Sequence, residues 1–133
     1  MIPEFDENGY LPPGVHRATT IEVQARFGTS TEIRRVQMES LRWMLDLVAQ
    51  ASIARVLING SWVTDEPEPI DIDCVLLAGP DWGTKPDVEQ ELLDGLPFLS
   101  PQIANQTVFD RYVNVIFASD RSERPKGVVE VVQ

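Results

Sequence analysis

Two apolar runs, Val56-Leu57-Ile58-Asn59 and Ile70 to Ala78, flank a connection that opens on Gly60-Ser61 and holds Pro67 and Pro69. So short a segment, with two prolines and three acids between Trp62 and Pro69, cannot be a long helix. It is predicted to be a turn that returns the chain to an adjacent strand. In an extended strand side chains alternate between faces, so Asp71 and Asp73 point the same way while Ile70, Ile72 and Cys74 point into the core. Two carboxylates on one face raise each other's pKa unless a cation neutralises them. A hard divalent ion such as Mg²⁺ does so and keeps coordination positions open for phosphate oxygens. Gly60 lets backbone approach a ligand without a Cβ in the way, and the N–H groups that follow, with the Ser61 hydroxyl, can hold a phosphate. Taken alone, an Asp-x-Asp or a Gly-Ser is commonplace, and Gly-Ser is more often a turn. At this spacing between two apolar strands they describe a seat for a metal-bound triphosphate.

Gly60-Ser61, nine intervening residues, then Asp71-Ile72-Asp73 resembles the signature of the nucleotidyltransferase superfamily, in its polymerase-beta-like and minimal forms. Along most of its length the chain is also similar to a small prokaryotic family assigned to that superfamily. Its marks here are Leu11-Pro12-Pro13-Gly14-Val15-His16, then Gly60-Ser61-Trp62-Val63-Thr64 before Pro69-Ile70-Asp71-Ile72-Asp73, and the close Lys126-Gly127-Val128-Val129. The resemblance implies a nucleotidyltransferase-like fold that uses Mg²⁺ or Mn²⁺ with a nucleoside triphosphate as substrate. Asp71 and Asp73 would be the metal ligands and catalytic acids, and Gly60, Ser61, Trp62 and Lys126 would contact the nucleotide. It also implies transfer of a nucleoside monophosphate to a protein or RNA hydroxyl, within a toxin-antitoxin or defence pair. Trp62 and Thr64 either shape the nucleotide pocket or cover its edge. Lys126 reads equally as an exposed surface lysine, and Arg124, Arg111 and Lys85 are further candidates for the triphosphate.

The resemblance has a gap. Members of the superfamily bring a third carboxylate from the strand beside the Asp-x-Asp strand, and at the corresponding place this chain offers Asn114. An amide can ligate a metal through its oxygen but carries no charge and is no general base. Asp110 could substitute only if a bulge turned it inward. The alternative function is therefore a pseudoenzyme that keeps the fold and acts as a protein-binding, antitoxin-like scaffold.

The chain's 133 residues suit one domain. An irregular arm over residues 1–18, rich in proline and glycine, is expected to pack on a single domain spanning 19–133. The balance of 11 basic against 21 acidic residues gives a net charge of −10, which argues against duplex DNA and suits a basic protein partner or mere solubility. The longest apolar run, 74–79, is too short to cross a bilayer, and the opening residues lack the pattern of a signal peptide, so the cytoplasm is expected. One cysteine excludes an internal disulfide, and the single His16 is more readily structural than a base or nucleotide contact.

The expected class is α+β, with a small mixed sheet of about four strands on two or three helices. Thr19 and Glu22 form a capping box that starts a helix ended by Gly28. A second helix runs from Thr31 to Gln50, with Ile33, Val36, Leu41, Met44, Leu45, Leu47 and Val48 on its apolar face and Arg34, Arg35, Glu39 and Arg42 opposite. Pro86 opens a third helix that closes at Gly95. Residues 96–101 form a loop. Arg111 to Ala118 reads as a third strand from its β-formers, and Val128 to Val132 as a fourth, edge strand.

Overall fold

A computed structural model describes residues 2–132. The class is α+β, as the sequence pattern implies, with five strands in one mixed sheet. Strand β1 spans Gly14–Thr19 and is followed by α1 (Thr20–Phe27) and α2 (Glu32–Gln50). Next come β2 (Ile53–Asn59), β3 (Asp73–Ala78), α3 (Pro86–Asp94), β4 (Gln102–Ala104), α4 (Gln106–Arg111) and β5 (Gly127–Val132). The strands lie in the order β1-β5-β2-β3-β4. The β2–β3 and β2–β5 pairs are antiparallel, whereas β1–β5 and β3–β4 are parallel.

Local chemistry accounts for the helix ends. At α1 the Glu22 N–H donates to Thr19 Oγ1 at 3.2 Å and the Thr19 N–H to Glu22 Oε1 at 3.1 Å, a closed capping box. Helix α2 begins after Thr31, whose hydroxyl accepts from the Arg34 N–H, and α3 has Pro86 in its first turn, where a missing N–H costs nothing. The face that α2 buries is rotated from expectation: Val36 is 41% exposed, while Arg34 and Gln37 lie inside with Met38, Leu41 and Met44.

Residues 111–118 correct the sequence reading. They form no strand; α4 continues into a π-helical turn over Tyr112–Ile116, in which the Phe117 N–H reaches back to Tyr112 O at 2.8 Å. Asn105 caps α4 by accepting from the Val108 N–H at 2.9 Å. Phe109, Val113 and Phe117, four apart, present one helical stripe to the sheet, and Val115 and Ile116 are left exposed. Packing at this period outweighs the β-propensity of the valines and isoleucine. Helix α4 covers one sheet face over Leu57, Val75, Leu77 and Val128, and α1, α2 and α3 cover the other over Val56, Ile58, Leu76, Val129 and Val131.

Two smaller differences concern the ends of strands. Strand β3 starts at Asp73, so Ile72 and Cys74 are buried as expected but Ile70 is 83% exposed. Residues 14–18 of the expected arm, with Thr19, form β1, which places β5 inside the sheet and leaves β1 and the short β4 at its edges.

Candidate functional site

The register of β2 against β3 sets Asn59 directly opposite Asp73. The next residue, Gly60, has φ 86°, a left-handed conformation that favours glycine. A Cβ on Gly60 would stand 2.9 Å from Asp73 Oδ2. Glycine is thus favoured by its dihedral, and a Cβ would oblige the carboxylate to shift. Ser61–Val63 then form a single 3-10 turn, closed by the Val63 N–H on Gly60 O and by the Thr64 hydroxyl on Ser61 O at 2.6 Å. The Gly-Ser turn and the second acid of Asp-x-Asp lie side by side at the end of the β2–β3 pair.

Charge gathers there. Burial first, and the Asp71 carboxylate second, push the Asp73 pKa up, while Lys126 and Arg121 act in the opposite sense. Lys126 is half-buried, and burial lowers its pKa against the pull of Asp73 and Asp120. An Asp73 carboxyl that burial and the nearby Asp71 charge both disfavour in its ionised form would be relieved by a hard divalent cation bound through oxygen. No group of three or more His, Cys, Asp or Glu side chains suited to a metal occurs among the described residues. An ion held by Asp71 and Asp73 would have to take its remaining ligands from phosphate and water.

The loop from Trp62 to Pro69, between the turn and the acids, is held from beneath by α2. Arg34, only 3% exposed, donates to Trp62 O at 2.7 Å, Thr64 O at 2.8 Å, Glu66 O at 2.6 Å and Phe27 O at 3.1 Å. Gln37 Nε2 donates to Pro69 O at 2.6 Å. The sequence reading put Arg34 on the solvent side and gave Gln37 no role. The available signal was spacing, since positions 34, 37, 41 and 44 fall on one helical stripe.

The N-terminal stretch ties this loop to the turn that precedes β5. Gly9 O accepts from the Asp65 N–H at 3.0 Å, and the Tyr10 hydroxyl donates to Asp120 at 2.7 Å. Leu11 O accepts from the Gly127 N–H at 2.9 Å, just after Lys126. His16 is structural, its Nε2 facing Pro12 O at 2.6 Å.

Other expected site residues lie elsewhere. Trp62 is fully buried against Phe27, ring centroids 5.6 Å apart, so it is a core residue with no surface for a nucleotide. Asn114 is not on a strand beside β3; it sits on the π-helical turn, exposed, and lines a cavity of about 260 Å³ together with Lys126. Neither strand flanking β3 carries a carboxylate. The acid of β5, Glu130, is held by Arg55 through bonds of 2.6 and 3.0 Å. Arg124 stands 4.0 Å from Asp120, and Lys85 Nζ donates to Gln50 O. Arg121, absent from the sequence-based candidates, adds its positive charge to that of Lys126 in favouring ionised Asp73.

No described helix is long and apolar enough to cross a membrane. Neither the curated proteins nor the solved structures gave a match. Residues 3–132, nearly the whole chain, match a family of unknown function (DUF6932), and the chain belongs to that family.

Proposed function

We propose that the protein binds a nucleoside triphosphate with Mg²⁺ and transfers the nucleoside monophosphate to a hydroxyl of protein or RNA. The observation that carries this reading is the Asp73 carboxylate lying over Gly60, with Asp71, Lys126 and Arg121 in electrostatic reach. Asp71 and Asp73 would hold the ion, which when bound supplies charge neutralisation for the phosphates. Gly60 and Ser61 would lie along the phosphate chain, and Lys126 and Arg121 would offset its negative charge. In the reaction the acceptor oxygen bonds to the α-phosphorus, the bond to pyrophosphate breaks and the hydroxyl proton passes to water. Positioning and charge stabilisation dominate such phosphoryl chemistry.

A second reading, a scaffold that binds a protein without catalysis, is favoured by one observation. The strands beside β3 supply no third acid, and Glu130 is engaged by Arg55. One experiment separates the two. The protein is incubated with each α-labelled nucleotide, Mg²⁺ or Mn²⁺, and total cell protein or transfer RNA, beside an Asp71→Ala/Asp73→Ala variant. Metal-dependent label with the native sequence alone supports transfer. Absence of label together with absence of calorimetric nucleotide binding would leave the scaffold.

A further inference from the structure

We infer that the cavity between β1 and the π-helical turn is the site for the base of the bound nucleotide, with Asn114 reading its edge and Lys126 joining it to the phosphates. The inference rests on the proposed function and adds to it where the base goes and which residue selects it.

The cavity has about 260 Å³ and is walled by Pro13, Val15, Val113 and Val128, with Asn114 and Lys126 as its polar members. Val15 and Val128 are register partners on neighbouring strands, so their side chains rise from the same sheet face. Val128 belongs to the apolar cluster under α4 that also contains Val75, the next residue after Asp73 on that face. The chain reaches Lys126 two residues before Val128, and its ammonium feels the charge of Asp73. The cavity therefore shares this one cation with the acidic end of the β2–β3 pair. A ligand bridging the two places needs an anionic end, a flat apolar body and a hydrogen-bonding edge.

Nucleotides combine those three parts. The volume is below the roughly 300–1,000 Å³ of sites for whole drug-sized ligands, and so suits one base with the phosphates outside. Asn114 offers both a donor and an acceptor, the pair an amide needs to engage the edge of a base. It is exposed in the π-helical turn and lines the cavity. A helical turn that widens by one residue at this point is also a common companion of functional sites.

The test is calorimetry in Mg²⁺ with ATP, GTP, CTP, UTP and tripolyphosphate, using the native protein, Asn114→Ala and Val15→Trp. Both positions are exposed, and circular dichroism melting checks that both variants fold. The native protein is expected to bind one nucleotide roughly tenfold or more tighter than tripolyphosphate, the scale of one or two hydrogen bonds plus apolar contact. Asn114→Ala should remove the preference among bases, and Val15→Trp, which fills the cavity, should bring every nucleotide to the affinity of tripolyphosphate. Tripolyphosphate itself should bind both variants as it binds the native protein. Equal affinity of the native protein for tripolyphosphate and all four nucleotides would overturn the base site and leave the metal-phosphate reading standing. Failure of tripolyphosphate and nucleotides alike would overturn both.

Discussion

Arg34 donates to the carbonyl of Trp62 at 2.7 Å across the boundary between α2 and the loop that carries the acids. The same guanidinium reaches the carbonyls of Thr64 and Glu66, so one side chain fixes three alternate carbonyls of a loop that contains no regular structure beyond its opening 3-10 turn. A planar fork with five donors suits this task, and an ammonium does not. Replacement by methionine, which fills the space but donates nothing, should cost about 3 kcal/mol, because several buried carbonyls lose a charged donor at once. Arg34→Lys should recover only part of the loss. Urea unfolding of the two variants checks this, and a loss below about 0.5 kcal/mol for methionine, typical of an innocuous surface change, would show that water replaces the guanidinium freely.

Gly60→Ala should destabilise by about 1–3 kcal/mol, since a non-glycine residue is strained at φ 86° and its Cβ meets the Asp73 carboxylate. Only the steric part depends on Asp73. In a double-mutant cycle Gly60→Ala should therefore cost less in the Asp73→Ala background than in the native one, by about 0.5 kcal/mol or more. Strict additivity would mean that the carboxylate swings clear of the turn.

The sign of the pH effect at Asp73 follows from its raised pKa. A carboxyl that holds its proton more tightly when folded stabilises the fold at low pH, and that contribution is lost as pH rises from its ordinary 3.8 through the raised folded value. Asp73→Asn should thus gain stability relative to the native sequence at pH 7, and the gain should vanish below about pH 3.8. Added Mg²⁺ at pH 7 should raise the melting temperature of the native protein and leave that of Asp73→Asn unchanged. A variant that responds equally to Mg²⁺ would remove Asp73 from the ion's ligands.

Glu130 behaves in the opposite sense. Its hydrogen bonds to Arg55 lower its pKa, so the stability it contributes is present above its ordinary 4.5 and lost as pH falls through the depressed folded value. Because the Arg55 side chain is 37% exposed, solvent screens the pair, and Glu130→Gln should cost only about 1 kcal/mol at pH 7. The deficit should shrink in acid. Chemical unfolding at pH 7 and pH 4 measures both values; a deficit that grows on acidification would be incompatible with an ionised Glu130.

The parts of this fold that could be read from the sequence are those set by near neighbours. Thr19 with Glu22, Thr31, Pro86 and Gly95 mark helix ends through contacts within a turn or so, and the ends fall where those residues put them. The approach of Asp73 to Gly60 followed from alternation along two strands joined by a short connection. What was misread depends on partners far along the chain. Val113, Val115 and Ile116 look like strand residues until Phe109 and Phe117 are seen gripping the sheet on a helical stripe. Arg34 resembles a solvent residue because its partners, the carbonyls of Trp62 to Glu66, are backbone groups with no side-chain signature. Asn114 was assigned by likeness to a strand position that α4 displaces.

The placement of β5 also dictates an order of assembly. The last of the five described strands lies between the first and the second, pairing with β1 over Gly14–Thr19 and with β2 over Val56–Ile58. Until residues 127–132 emerge from the ribosome, β1 has no mate and one side of β2 stands open. Closure of β1 on β5 joins segments more than a hundred positions apart and must wait until residues 127–132 have been made, so a nascent chain halted before that point exposes unpaired edges to its neighbours.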